Sequence, residues 1–223
     1  MKKLLFAIAL STVLFACDED EKIEVKDYGM KKFEADMKYD AKAPHGQIKY
    51  TQQVFMKLGQ DEPVALGEYG TDTWTTFCLT KDKEGIPFND QTKVKGWDFV
   101  FTQFYRASDG YGVSGNLINT EEGIEIGLLK YEDSKEAAKI SEAFAMLTLE
   151  DVKNVSDYKS NIDAIPDGEW KAMHGMPPSF SVNTHHFYVV KLKNNDTYKL
   201  RFLSFYGETK AERIMVVEYA LMK

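Results

Sequence analysis

The segment that follows Trp170 carries side chains able to bind a metal or a metal-containing cofactor. Met173, His174 and Met176 stand close together in it, around Gly175 and before two prolines. An imidazole and a thioether are the two common axial ligands of haem iron, so these residues indicate a haem-ligating loop. The same residues allow a second interpretation, in which His174 packs on Trp170 and the methionines fill gaps in a core.

The other histidines are less suited to a shared metal. His45 lies in a charged segment before the first predicted strand, where we expect a solvated side chain. His185 and His186 open a predicted strand, and adjacent side chains of a strand point to opposite faces. His174 is therefore the best single ligand candidate.

No sequence motif indicates an enzyme. Residues 110–115 match G-x-G-x-x-G, but a dinucleotide site needs a helix to follow, and residues 116–119 are β-like. The sequence contains no G-x-S-x-G elbow, phosphate-binding loop, H-E-x-x-H or C-x-x-C motif. Carboxylates are so numerous that no pair stands out. We therefore expect a protein without catalytic activity.

The first sixteen residues have the pattern of a secretory signal. Lys2 and Lys3 precede an apolar run at 4–15, and the run ends in Ala16 and Cys17. A cysteine at this position is typical of a bacterial lipoprotein signal, in which cleavage leaves Cys17 as the acylated N-terminus. The sequence thus predicts a signal peptide at 1–16 and a lipid anchor at Cys17.

An acidic block, residues 18–21, comes directly after this cysteine. It resembles the export signal that carries lipoproteins to the cell surface in some Gram-negative lineages, and the inner leaflet of the outer membrane is the alternative location. Residues 17–45 are charged, so we interpret them as the lipidated cysteine and a solvated tether. The remaining residues, 46–223, are long enough for one domain.

The charge balance excludes two classes of partner. Removal of residues 1–16 takes two lysines from 28 basic residues, which leaves 26 against 35 acidic residues, a net charge of −9. Such a protein has no electrostatic reason to bind nucleic acid or an anionic membrane surface. After acylation of Cys17 only Cys78 remains, so we expect neither a disulfide nor a thiolate metal cluster.

Hydrophobic patterning predicts a mainly β fold. Aromatic residues are abundant (14 Phe, 12 Tyr, 3 Trp), and they favour strands. Strands are predicted at 48–58, 74–80, 96–105, 113–119, 124–129, 180–182, 186–192, 198–206 and 213–221. We expect 96–105 to be a central strand, with Trp97, Phe99 and Phe101 on one face and Val100 on the other.

One helical insertion interrupts the strands. Residues 132–134 can cap a helix that begins at Lys135, and Ile140, Phe144 and Leu147 follow at helical spacing. A second short helix is predicted at 149–158. The fold class is therefore an antiparallel β-sheet domain with a small helical insertion.

Three segments together resemble the HmuY-like haem-binding lipoproteins. Residues 53–58 are similar to the first strand of that family, and residues 96–101, Gly-Trp-Asp-Phe-Val-Phe, are similar to its tryptophan–aspartate strand. Residues 170–219 follow the family pattern of a tryptophan, a loop, a strand with paired aromatic residues, a turn and further strands. The lipoprotein signal agrees with this resemblance.

The resemblance implies an all-β domain that binds one haem and passes it to an outer-membrane receptor of the TonB-dependent type. His174-Gly175 stands where the family has a ligating histidine, so the resemblance assigns this role to His174. The second ligating histidine of the family has no counterpart, because no histidine lies between His45 and His174. Methionine replaces it in some members, which leaves two candidates: His174 with Met146, or Met176 in place of His174.

A different ligand on the same scaffold remains the alternative. The missing second histidine allows a surface β-domain that binds a protein, a glycan or another small molecule without haem.

Overall fold

The computed structural model describes residues 29–38, 52–68, 77–78, 94–105, 112–176, 179–208 and 212–223. The signal segment, Cys17 and the acidic block lie outside these residues. The described strands are β1 (Lys31–Asp36), β2 (Gln52–Met56), β3 (Ala65–Glu68), β4 (Phe77–Cys78), β5 (Phe99–Tyr105), β6 (Gly112–Ile118), β7 (Glu125–Lys130), β8 (Lys171–His174), β9 (Ser179–Val182), β10 (His186–Lys191), β11 (Thr197–Ser204) and β12 (Ile214–Leu221). The helices are α1 (Ala137–Met146), α2 (Leu149–Val152) and α3 (Asp167–Trp170).

Four strands from the C-terminal half and the N-terminal strand β1 build the larger sheet. Its order is β1-β12-β11-β10-β7, and all neighbours are antiparallel. The β10–β11 turn passes through Asn195, which has a positive φ of 69°, a conformation that asparagine tolerates better than most residues. The hairpin predicted from the Asn194-Asn195-Asp196 turn is therefore confirmed.

The second sheet has the order β3-β2-β5-β4, with β6 also paired to β5. β5 is the central strand of this sheet, as predicted, because it pairs with β6 along its length and with β2 and β4 at different positions. β6 also shows that the G-x-G-x-x-G match continues as a strand from Gly112, so no helix follows to bind a pyrophosphate. Gly110 and Tyr111 lie outside the described residues.

The face assigned to Trp97 was wrong. Trp97 packs with Phe55, Val100 and Leu117, whereas Phe99 and Phe101 face the opposite side. The strict alternation of a strand begins only at Phe99, after Gly96 has taken a positive φ of 72°. The turn at Gly96 rotates Trp97 out of the strand pattern, so the two-residue alternation of a strand does not predict the face of Trp97.

The two sheets pack face to face around the main hydrophobic core. Phe33 of β1 stacks on Phe101 of β5 across the interface, with ring centroids 6.1 Å apart. Both sheets supply fully buried residues to this core, among them Met56, Phe99, Ile118, Val190, Leu200, Phe202, Met215, Val217 and Tyr219. The described chain is thus mostly antiparallel sheet with three short helices, and the predicted mainly β class is confirmed.

The helices α1 and α2 cover the other face of the larger sheet. Ile140 and Phe144 of α1 pack on Phe187, and Val152 of α2 packs with Val189 and Met222. Within the described ranges, no helix is long and apolar enough to cross a membrane.

The second predicted helix ends earlier than expected. A reciprocal pair of hydrogen bonds between Thr148 and Asp151 caps α2, but the helix stops at Val152. Farther along, Lys159 exchanges two backbone hydrogen bonds with Ile126 of β7, at 2.8 and 2.9 Å. This segment is recruited to the sheet edge, so it does not continue the helix.

The boundary between tether and domain also needs correction. β1 lies within the segment 17–45 that was assigned to the tether, yet it pairs with β12 over its whole length. Phe33 and Ala35 are buried in the main core, whereas Glu34 between them is exposed. β1 alternates apolar and charged residues, and because of the charged residues its sequence resembles that of a solvated tether. The domain therefore includes residues before 46.

Candidate functional site

His174 is the last residue of β8, one strand of a two-stranded hairpin. β8 pairs with β9 antiparallel, and the cross-strand partners are Lys171 with Val182, Met173 with Phe180, and His174 with Ser179. The sequence pattern predicted a loop here, and for Met173 and His174 this prediction was wrong. The strand depends on its pairing with β9, and the local sequence of such a short segment does not predict that pairing.

The His174 imidazole is exposed and has a polar neighbour on the adjacent strand. Its Nε2 lies 2.7 Å from the hydroxyl oxygen of Ser181, and the Ser179 hydroxyl donates to the His174 carbonyl oxygen at 3.3 Å. Ser181 was not anticipated as a partner of His174, because only the hairpin register brings these residues together. Iron binding through Nε2 would replace the Ser181 hydrogen bond, whereas binding through Nδ1 would leave it in place.

Two exposed thioethers accompany the imidazole. Met173 is 63% exposed and Met176 is 88% exposed, although methionine is usually buried. Gly175, which separates His174 from Met176, has a positive φ of 65°, the backbone conformation that favours glycine. Met173 is paired with Phe180, so it lies on the opposite face of the hairpin from His174.

The base of the hairpin is fixed in the main core. Trp170 is fully buried, with ring centroids 4.9 Å from Phe202 and 5.2 Å from Phe205. The buried Lys171 places its ammonium 4.7 Å from the Trp170 ring and 5.1 Å from the Phe180 ring. Trp170 thus anchors the hairpin from below. Met173 and Met176 do not fill gaps in a core, because both side chains are exposed.

Met146 lies in a different layer of the molecule. It ends α1, is 56% exposed, and lines two open cavities of about 560 and 870 Å³. Both cavities adjoin the end of α1, and the larger one also reaches Gly59, Tyr198 and Tyr219 at the edge of the main core. His174 lines neither of them, and its hairpin is anchored in the core on the inner face. This structure does not bring His174 and Met146 together.

The remaining described histidines serve the fold. His186 is buried, and its Nδ1 bonds to the Glu169 backbone carbonyl oxygen. Burial lowers the pKa of His186 below its usual value, because the charged form is disfavoured there. The His185 ring lies 4.5 Å from the His186 ring in an edge-on arrangement. The described part of the chain contains no group of three or more metal-binding His, Cys, Asp or Glu side chains.

The donors of the hairpin fit one axial position of haem iron. The imidazole of His174 and the thioether of Met176 are both exposed, and both are ligand types that haem iron accepts. They lie two residues apart on one tip, so they are suited to the same face of a porphyrin and not to opposite faces. A second axial ligand would have to come from elsewhere in the chain.

Comparison with known proteins identifies the family. The model of the HmuY protein family matches residues 49–219, which is most of the chain and nearly the whole β-sheet domain. The chain therefore belongs to the HmuY family. No curated protein sequence matches the chain.

The chain is also similar to solved structures, at low sequence identity. Apo PinO from Porphyromonas gingivitis matches with a TM-score of 0.50 and 12% identity, over 87% of this chain and 97% of that one. An apo HmuY analogue from Tannerella forsythia has a TM-score of 0.46 and 13% identity, over 87% and 96% of the two chains. A candidate HmuY-like haem-binding protein from Bacteroides vulgatus has a TM-score of 0.44 and 12% identity, over 86% and 91%.

Proposed function

We propose that this protein is a surface-anchored lipoprotein that captures haem and delivers it to an outer-membrane receptor, without catalysing a reaction. The observation that carries the proposal is membership of the HmuY family over residues 49–219. The exposed imidazole and thioethers at the hairpin tip supply ligand chemistry consistent with it.

His174 is the proposed axial ligand on one face of the haem. The hairpin suits this role because a fully buried tryptophan holds its base while the imidazole stays accessible. Met176 is the alternative ligand on the same face. Ligation by His174 together with Met146 requires α1 and the hairpin to approach each other from their positions in this structure.

Burial of the porphyrin supplies most of the proposed affinity. A large apolar ligand gains about 25 cal/mol for each Å² removed from water, so strong axial ligands are not required for binding. A methionine ligand would raise the reduction potential and favour ferrous iron. A carrier that must release its haem to a receptor is served by such moderate ligation.

The proposed location follows from the N-terminal signal. Acylation of Cys17 would attach the protein to the outer membrane, since each buried CH₂ contributes about 0.8 kcal/mol and several chains act together. The acidic residues 18–21 favour display at the cell surface. The receptor partner we propose is of the TonB-dependent type.

A haemin titration of residues 18–223 tests the proposal. We expect a saturable Soret shift with one haem per protein, in the oxidised state or after reduction with dithionite. Tighter binding after reduction indicates a methionine ligand, and Met146→Ala and Met176→Ala then distinguish the two candidates. The absence of a saturable shift in both states would refute haem binding.

In a second candidate function, the same β-sheet domain binds a ligand other than haem. The observation that favours it is the separation of His174 and Met146 into different layers, together with the absence of any histidine between His45 and His174. In that case the domain binds a protein, a glycan or another small molecule.

A further inference from the structure

A second cleft of the molecule contains a buried hydroxyl group without a partner. Tyr188 of β10 is 2% exposed, and its hydroxyl oxygen has no hydrogen-bond partner among the described residues. Buried polar groups are nearly always hydrogen-bonded, because leaving one unpaired is costly. Tyr188 lines a cleft of about 280 Å³ between β7, β10 and the segment 157–169, which we name the Tyr188 cleft.

One side of the Tyr188 cleft is apolar. Ile126 and Leu128 of β7, together with Ala164 and Pro166, form its apolar lining. Leu128 is directly opposite Tyr188 in the β7–β10 register, so the phenol rises from the floor formed by the sheet. The volume is close to the lower end of the range for small-molecule sites, about 300–1,000 Å³.

Charged groups of both signs surround the apolar part. The Lys130 ammonium lies 3.2 Å from the Glu169 carboxylate, and Lys159 and Asp157 complete the lining. Two cations and two carboxylates leave the lining without net charge. Such a lining does not favour a ligand of either net charge, but it can hydrogen-bond a neutral polar molecule or a zwitterion.

The Tyr188 hydroxyl determines what the ligand must offer at the floor of the cleft. Burial and the nearby Glu169 carboxylate raise the pKa of Tyr188 above its usual value, so the phenol keeps its proton at neutral pH. A protonated hydroxyl can both donate and accept a hydrogen bond, and an acceptor oxygen of the ligand is the group complementary to its hydrogen.

We propose that the Tyr188 cleft binds a small organic molecule that has no net charge, one apolar side and an acceptor oxygen directed at the Tyr188 hydroxyl. Free amino acids and monosaccharides both have this chemistry. The site does not involve His174, Met146 or Met176, so it is independent of the proposed haem site.

An NMR titration with two probes tests this proposal. L-leucine and D-glucose are added separately to the 15N-labelled protein of residues 18–223, and succinate serves as a dianion of similar size. We expect saturable shifts of the Leu128 and Ala164 amides with leucine or glucose, and at least tenfold weaker binding of succinate. Equal or stronger binding of succinate, or no saturable shift with either neutral probe, would overturn the proposal.

Two matched tyrosine variants locate the contact. Tyr188→Phe removes one oxygen that has no protein partner, so we expect the fold to be kept and the affinity for the bound probe to fall about tenfold, as for one lost hydrogen bond. Tyr158→Phe removes another buried hydroxyl without a partner in the described structure, outside the cleft lining, and should change affinity less than twofold. Equal affinities of wild type and Tyr188→Phe would contradict the proposed contact.

Discussion

The β8–β9 hairpin and the α1–α2 layer each carry a proposed haem ligand, but they are attached to the larger sheet in different ways. α1 is held along its length, by Ile140 and Phe144 on Phe187 and by polar contacts near its end. The hairpin is held on one side only: Trp170, which precedes β8, lies in the main core, and Phe180 and Val182 of β9 pack against that core. At its tip, Met173 to Met176 are exposed.

This difference indicates different roles: α1 covers a face of the larger sheet, whereas the hairpin presents side chains to a ligand. Buried cations reinforce α1 with directional bonds: Lys199 donates to the Ala145 and Leu147 carbonyl oxygens, and Arg201 bonds to Ser141 and Glu218. These bonds fix α1 against the sheet. The hairpin instead combines a fixed base with an accessible tip, as expected of an element that offers side chains to a ligand.

The two anchors give the largest expected effects. Trp170→Ala and Phe144→Ala each remove a fully buried aromatic side chain, so we expect each to lower the free energy of unfolding by about 3–5 kcal/mol. Urea unfolding measures both. A loss below 1 kcal/mol for Trp170→Ala would show that the hairpin base is not part of the cooperative core. That result would contradict the description of the hairpin as an element with a fixed base.

The next largest effect on the free energy of unfolding is expected from the hydrogen bonds between α1 and the sheet. The Arg201 Nε and Nη2 donate to Glu218 at 2.8 and 2.6 Å, and both side chains are largely buried. Glu218→Gln removes the compensating charge but keeps one acceptor, so we expect a loss of about 2 kcal/mol in urea unfolding.

The matched control for Glu218 is an exposed ion pair on α1. Glu136→Gln removes the negative charge from the solvated 3.2 Å contact with Lys139 and should cost less than about 0.5 kcal/mol. If the two substitutions cost the same, the buried pair has no special part in holding α1.

The smallest effect concerns pH at the base of the hairpin. Since burial lowers the pKa of His186 in the folded state, the unfolded state takes up the proton first as the pH falls. The free energy of unfolding of the wild type should therefore decrease from pH 7 toward about pH 5. His186→Gln keeps an N–H donor without this titration, so its decrease should be smaller. Parallel curves for the two proteins would exclude a contribution from His186.

Much of the β fold could be predicted from the sequence because its strands carry their own patterns. The apolar runs of β5, β10 and β11 identified them, and the Asn194-Asn195-Asp196 turn fixed one hairpin. β1 was missed because only Phe33 and Ala35 of its six residues are buried. The early end of α2 depends on backbone bonds to Ile126, a distant partner that no local pattern shows.

The candidate site was predictable in its residue types but not in its arrangement. The imidazole and thioethers near Trp170 were visible in the sequence, and their exposure agrees with a ligand-binding role. The Ser181 contact arises from the β8–β9 register. The layer occupied by Met146 depends on which sheet face α1 covers, and helical periodicity alone cannot supply that.

The central claim is that the exposed imidazole of the hairpin binds haem, and a haemin titration of two histidine variants tests it most directly. We predict that His174→Ala weakens the Soret-detected affinity at least tenfold while its unfolding free energy stays within about 0.5 kcal/mol of the wild type. His185→Ala, which removes an imidazole outside the hairpin, should bind haemin as the wild type does. Unchanged affinity of His174→Ala would contradict the account and place the ligand elsewhere in the chain.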